Sequence, residues 1–177
     1  MITIKVKDKE FKLSIKASEI NAAVESIAVK LNHDLKGKNP IFLVVLNGAF
    51  VFAADLYRKI EIDSEISFVK LASYSGTEST SDVKELIGLN EMLKGRTVVI
   101  LEDIIDTGTT MQYLINRLIY HGVAEVLLAA LLFKPSAFRE SFRIDYLGLE
   151  IPNDFIVGYG LDYDGFGRNY ADIYKIV

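Results

Sequence analysis

The sequence predicts an α/β fold, with a mostly parallel central sheet and flanking helices. Two observations carry this. Three apolar runs, IFLVVL (Ile41 to Leu46), TVVIL (Thr97 to Leu101) and VLLAALLF (Val126 to Phe133), have the length and all-round hydrophobicity of strands buried on both faces. Segments with apolar residues at helical spacing follow the first two runs, so strand and helix alternate and the connections are crossovers.

The chain opens with Ile2 to Val6 and Phe11 to Ile15, two alternating stretches around DKE that predict a hairpin. From Ser18, read as an N-cap, Ile20, Val24, Ile27, Ala28 and Leu31 form one helical stripe. Strand Ile41 to Leu46 leads through NGAF into a helical segment over Ala49 to Ile60. Ser64 to Tyr74 reads as a strand, and SGTESTSD after it, lacking any apolar anchor, as a mobile loop. Strand Thr97 to Leu101 precedes a helix from Thr109 to His121, with Met111, Leu114, Ile115, Leu118 and Ile119 on one face. A strand over Val123 to Phe133 follows, then two short ones near Asp145 to Leu149 and Phe155 to Tyr159. In such sheets ligands collect at the carboxyl ends of the strands. That rule picks out the loops NGAF, EDIIDTGTT and KPSAF.

Composition narrows the classes. With 177 residues, 50% of them hydrophobic, the chain suits one domain with a sizeable core, expected to span 1–177. Its formal charge of −4 comes from 20 basic and 24 acidic residues without a basic block, which argues against nucleic acid as partner. The absence of cysteine excludes a disulfide framework and fits a reducing compartment. Val126 to Phe133 is the longest apolar run and far below the ~18 residues a membrane helix needs. The opening ITIKVKDKEFKLSI alternates instead of forming a signal-peptide core, so a cytoplasmic location is expected. His33 and His121 read as surface residues near helix ends.

The most informative stretch is ILEDIIDTGTT. Thr107, Gly108, Thr109 and Thr110 stand where a helix begins, so backbone N–H groups there lack intrahelical partners. Gly108 permits close approach, the hydroxyls add donors, and the helix dipole favours an anion. Ordinary threonine capping accounts for the same letters. The turn lacks the GxxxxGK[ST] pattern, so a phosphate monoester fits better than a polyphosphate. Glu102 and Asp103 end an apolar strand and so stand at the sheet's rim, where carboxylates call for hydroxyls, ammonium groups or a metal. A solvated acidic turn is the plain alternative, and a receiver-like phosphoaspartate site would want further acids after IFLVVL, where there are none. A sugar phosphate satisfies both halves of the motif. Lys134, closing the run before PSAF, reads either as a snorkelling surface lysine or as a donor aimed into the crevice.

ILEDIIDTGTT closely resembles the phosphoribosyl-diphosphate (PRPP) signature of type I phosphoribosyltransferases, and matches elsewhere resemble the hypoxanthine-guanine branch. The resemblance implies that family's fold, with a small hood from the N-terminal hairpin and C-terminal strands beside the sheet. It implies transfer of a phosphoribosyl group from PRPP to a 6-oxopurine, with Mg²⁺ as cofactor and a homodimer or homotetramer as assembly. Glu102 and Asp103 would contact the ribose hydroxyls and support Mg²⁺, while Asp106, Thr107, Gly108, Thr109 and Thr110 hold the 5′-phosphate. Asp106 would also be the general base near purine N7. Many relatives carry lysine where Thr109 stands. Lys134 matches the lysine that donates to purine O6, which favours 6-oxopurines over adenine. In FIVGYGLDYDGFGR, Phe155 would stack on the purine and the Ile156 backbone would read its edge; Asp162 would ligate a second Mg²⁺ and Arg168 clamp pyrophosphate. Asn47 and Gly48 match a pyrophosphate-binding loop that often holds a non-proline cis peptide, although relatives often have lysine for Asn47 and glycine for Ala49. Ser73 and Tyr74 match the lid. The rival readings are a non-catalytic regulator on the same fold and a xanthine-preferring transferase.

Overall fold

The computed structural model describes residues 2–73, 83–87 and 93–177. Among the described residues, ten strands and three helices run in the order β1 (Thr3–Val6), β2 (Lys9–Ile15), α1 (Ala17–Asp34), β3 (Ile41–Leu46), α2 (Phe50–Tyr57), β4 (Glu65–Ser73), β5 (Val83–Ile87), β6 (Thr97–Ile105), α3 (Thr109–Tyr120), β7 (Glu125–Phe133), β8 (Tyr146–Glu150), β9 (Ile156–Val157) and β10 (Ile173–Ile176). Six strands form the main sheet in the order β5-β4-β3-β6-β7-β8, parallel except for β5, which pairs antiparallel with β4 at the edge. The other four, β1-β2-β10-β9, form an antiparallel hood.

The three apolar runs are the central strands β3, β6 and β7, and their alternate side chains serve two cores. Phe42, Val44, Val99, Leu101, Ala129 and Leu131 pack under α1 and α2, whereas Ile41, Leu43, Val98, Ile100 and Leu128 pack with Met111, Leu114 and Leu118 of α3. Burial on both faces is why these strands read as continuous apolar runs. The α1 stripe is real: Ile20, Val24, Ile27 and Leu31 have no exposed surface, and each such burial contributes about 1.5–3 kcal/mol.

Sheet order locates the crevice. The chain leaves β3 toward β4 on one side, while β6 lies on the other, so connections diverge between β3 and β6. Their carboxyl ends, at Leu46 and Ile105, flank a topological switch point. The hood joins from the same side: Ile15, Ile156, Tyr159, Leu161 and Ile173 enter the α1/α2 core.

Several elements differ from expectation. β6 continues to Ile105, with Glu102 paired to Ala130 and Ile105 to Phe133, so the two acids lie within the strand and not after it. The ladder is made by backbone, and side-chain polarity does not stop it. α1 starts one residue before Ser18, with Lys16 as N-cap; Glu19 accepts from the Lys16 N–H at 3.1 Å, and Asp172 accepts from the Ala17 N–H at 2.7 Å. α2 stops at Tyr57, short of Ile60. β5 and β10 were not anticipated as elements. Tyr74 and SGTESTSD lie outside the described residues.

Candidate active site

Two cavities open at the carboxyl ends of β3, β6 and β7. The smaller, about 110 Å³, is lined by Glu102, Ile104, Ile105, Asp106, Thr107, Gly108, Thr110 and Met111. The larger, about 390 Å³, is lined by Asn47, Gly48, Asp103, Ile104, Asp106, Lys134, Phe155, Ile156, Leu161, Asp162 and Arg168. Ile104 and Asp106 belong to both, so the cavities adjoin at these two residues.

The small cavity is made by the β6–α3 turn. Gly108 is the N-cap of α3 with φ of +90°, and no side chain caps the helix. The nearest hydroxyl contact, from the Thr109 N–H to Thr107 Oγ1, is stretched to 3.5 Å. Threonine capping therefore does not explain the turn; Thr110 and Met111 at the start of α3 line the cavity, and the unpartnered amides of a helix start can receive an anion. A methyl at Gly108 would meet the ring of Phe138 and the stem of Glu140, which fixes glycine there. Thr109 turns its hydroxyl to Glu140 Oε1 at 3.3 Å and is absent from the cavity wall.

In the large cavity five segments converge. Lys134 is 7% exposed, which rules out the snorkelling surface lysine. Its N–H donates to the Ile105 carbonyl at 2.9 Å, and its ammonium donates to Asp106 Oδ2 at 3.1 Å. Asp106 is about half exposed, leaving it open to a ligand from either cavity. Phe155 is 47% exposed although it leans edge-on against Tyr163, with centroids 5.9 Å apart; an aromatic face left open in a cavity is a stacking platform. Ile156 is buried beside it in β9. Arg168 meets Asp162 at 2.7 Å and also donates to the Gly160 carbonyl at 2.6 Å, while Asp162 Oδ2 accepts from the Gly165 N–H.

The Leu46–Asn47 peptide is cis. Asn47 is exposed to the cavity, whereas Gly48 rests against Asp103 so closely that a Cβ would collide with the carboxylate. Asp103 is 8% exposed, and burial pushes its carboxyl up to about 6, even though the Ile104 N–H donates to Oδ1 at 2.9 Å. Burial, reinforced by the neighbouring Asp103, raises Glu102 well above the ordinary carboxylate range, and Glu102 Oε2 is buried without a hydrogen-bond partner among the described residues. Ser73 ends β4, and Tyr74 lies outside the described residues. Of the two histidines, His33 is exposed, but His121 is half-buried with an unpartnered Nε2, unlike the surface residue expected.

Leu161 and Ile104 also line the large cavity as apolar walls; both lie within the quoted stretches, where only their polar and aromatic neighbours were singled out. Gly160, whose φ is +97°, was visible only as one glycine among several in GYGLDYDGFG.

The sequence matches the phosphoribosyl transferase domain over residues 14–164. It is 38% identical over 167 residues to the hypoxanthine-guanine phosphoribosyltransferase of Lactococcus lactis subsp. lactis, covering 93% of this chain and 91% of that one. It is also 38% identical over 167 residues to the bifunctional protein TilS/HprT of Listeria innocua, of whose length it spans about a quarter, 26%. In structure it resembles a hypoxanthine-guanine phosphoribosyltransferase of Bacillus anthracis with a TM-score of 0.86 at 33% identity, covering 94% of this chain and 97% of the other. No helix among the described residues is long and apolar enough to cross a membrane. The chain belongs to the phosphoribosyltransferase family, within its hypoxanthine-guanine phosphoribosyltransferase group.

Proposed function

We propose that the chain, as one domain over 1–177, transfers the 5-phosphoribosyl group of PRPP to hypoxanthine and guanine, releasing the purine nucleotide and pyrophosphate in purine salvage. The observation that carries this reading is the junction at Asp106: an anion cradle and a purine-sized chamber share that carboxylate, with Lys134 3.1 Å from it. The 5′-phosphate sits on the amides of Thr107 to Thr110, with Glu102 and Asp103 under the ribose hydroxyls. The base stacks on Phe155 along the Ile156 backbone, and Lys134 donates to its 6-oxo group. Adenine's amino group would present that ammonium with another donor, leaving both unpaired.

In the reaction the C1′–O bond to pyrophosphate breaks as purine N9 bonds to C1′, and the ribose passes through oxocarbenium-like character. Asp106 takes the proton released by the base, from N7, a role that contributes about 10²–10⁴ in rate. Anchoring the phosphate and stacking the base hold N9 in line with C1′. Arg168 and the Asn47–Gly48 loop receive the leaving pyrophosphate.

The donor set fits Mg²⁺. Glu102 and the buried Asp103 form an acid pair to which no cationic side chain among the described residues is bonded, and such a pair calls for positive charge. Among the described residues no three acidic or histidine side chains gather into a metal cage. That suits an ion that keeps several waters and takes substrate oxygens as ligands. Glu102 and Asp103 would support one ion and Asp162 a second, with Arg168 turning from Asp162 to pyrophosphate. Bound there, Mg²⁺ supplies neutralisation of the diphosphate charge, which a chain of net charge −4 has few means of providing. We place the protein in the cytoplasm, as a homodimer or homotetramer, with small-molecule substrates and neither nucleic acid nor membrane as partner; the acidic balance and lack of cysteine support this.

The test mixes protein, PRPP and Mg²⁺ with hypoxanthine, guanine, xanthine or adenine and follows nucleotide formation. Turnover with hypoxanthine or guanine, with none for adenine and none after EDTA, is the expected result. Binding of PRPP without turnover on any base would replace this reading with a non-catalytic regulator.

A further inference from the structure

We propose that Tyr159 and Asp55 are a positioning pair that fixes the Asp162/Arg168 loop against the Asn47–Gly48 loop, and so shapes the pyrophosphate end of the site. Neither residue lines either of the two cavities. The Tyr159 hydroxyl donates to Asp55 Oδ2 at 2.7 Å, across 104 positions of sequence. Asp55 lies on α2, whose first turn grows directly out of Asn47 and Gly48. Tyr159 stands between β9 and the loop that carries Asp162 and Arg168. The bond therefore joins the two segments expected to hold pyrophosphate.

The surrounding geometry makes this joint specific. Tyr159 is a non-glycine residue with φ of +48°, held by its N–H donating to the Tyr170 carbonyl at 2.8 Å. The next residue, Gly160, packs so tightly on the Gly48 carbonyl that a Cβ there would overlap it. Gly160 is in turn gripped twice by Arg168: its N–H donates to the Arg168 carbonyl at 3.0 Å, and its carbonyl accepts from the guanidinium at 2.6 Å. A rotation at Tyr159 would shift Arg168 and Gly48 together. Tyr159 is only 5% exposed, and burial together with the Asp55 carboxylate holds its phenol well above the ordinary value, so it remains a donor. Asp55 Oδ1 is engaged separately by Arg58 at 3.4 Å, which leaves Oδ2 to the tyrosine.

The inference rests on the proposed pyrophosphate role of these loops, and its test separates the two. Calorimetry measures Mg²⁺-pyrophosphate binding to the wild-type chain, Tyr159→Phe, Asp55→Ala and their double variant, beside the KM for hypoxanthine. Loss of one hydrogen bond to a charged group predicts about tenfold weaker pyrophosphate binding in each single variant, with the double variant no weaker than either. The KM for hypoxanthine should change less than twofold. Asp55→Asn, which keeps an acceptor, should restore most of the affinity. Wild-type pyrophosphate binding without turnover would overturn the transferase reading and leave the pair standing. Unchanged pyrophosphate affinity in both single variants, or an equal rise in the hypoxanthine KM, would overturn the pair as a positioning device; lowered thermal stability alone would do the same.

Discussion

The two cavities that meet at Asp106 are built in opposite ways. The small one is drawn from Glu102 to Met111, ten consecutive positions on one strand and one helix start. The large one draws on the β3–α2 loop, β6, the end of β7, β9 and the loop that follows it. A contiguous motif carries its own geometry, because a strand, a turn and a helix start place its amides locally. A composite chamber depends on how separate loops press on one another, as Gly48 does on Asp103 and Gly160 on Gly48. Changes in the chamber should therefore propagate, whereas changes in the cradle should stay local.

The largest effect should come at the shared wall. Asp106→Asn should lower kcat by about 10²–10⁴ while the fold and PRPP affinity persist, as steady-state kinetics beside circular dichroism would show. Next is Gly48→Ala, whose added methyl must displace the loop from Asp103. We expect kcat/KM to fall by about 10², the scale of a misplacement near an ångström, with ribose 5-phosphate affinity unchanged. Loss of ribose 5-phosphate affinity in that variant would show that the cradle is not independent of the chamber.

The buried acid of the chamber gives a pH prediction of comparable free energy. Asp103 is raised from 3.8 to about 6 on folding, so between these values the folded chain binds more protons than the unfolded one. The contribution of this group to the stability of the metal-free protein should then fall as pH rises from about 4 to 6, by roughly 3 kcal/mol. Urea titrations in EDTA should show a steeper slope in the wild type than in Asp103→Asn, which keeps the contribution of the buried Glu102. Lys134→Met should cost ten- to a hundredfold in kcat/KM for hypoxanthine, the scale of a lost hydrogen bond to or from a charged group. The smallest effect should be Thr109→Ala, at most a few-fold in the KM for PRPP, since its hydroxyl turns to Glu140 and the cradle rests on backbone amides.

The same contrast explains what could be read in the letters. β3, β6 and β7 were legible because burial on both faces leaves an unbroken apolar run. The last residues of β6 were not, because Glu102 and Asp103 interrupt that run while the backbone ladder with β7 continues. The start of α1 was misplaced because Asp172, 155 positions away, satisfies the Ala17 N–H. β5 and β10 are short, mixed in polarity and defined by their partners in the sheet. At the site, DTGTT alone suggested an anion cradle but fitted ordinary threonine capping equally well, and the resemblance of the longer stretch favoured the first. Lys134, Phe155, Asp162 and Arg168 were picked out through resemblance, and no local pattern signalled the Tyr159–Asp55 bond or the Gly160–Gly48 contact. Long-range contacts between loops leave no periodicity to read.

In the transferase reading, one ligand bridges both cavities across Asp106. A crystal structure of the protein with inosine 5′-monophosphate tests it most directly. We predict the 5′-phosphate on the amides of Thr107 to Thr110, the base stacked on Phe155, and its 6-oxo group within hydrogen-bonding distance of Lys134 Nζ. A nucleotide bound with its phosphate at Arg168 and its base away from Phe155 and Lys134 would contradict the account.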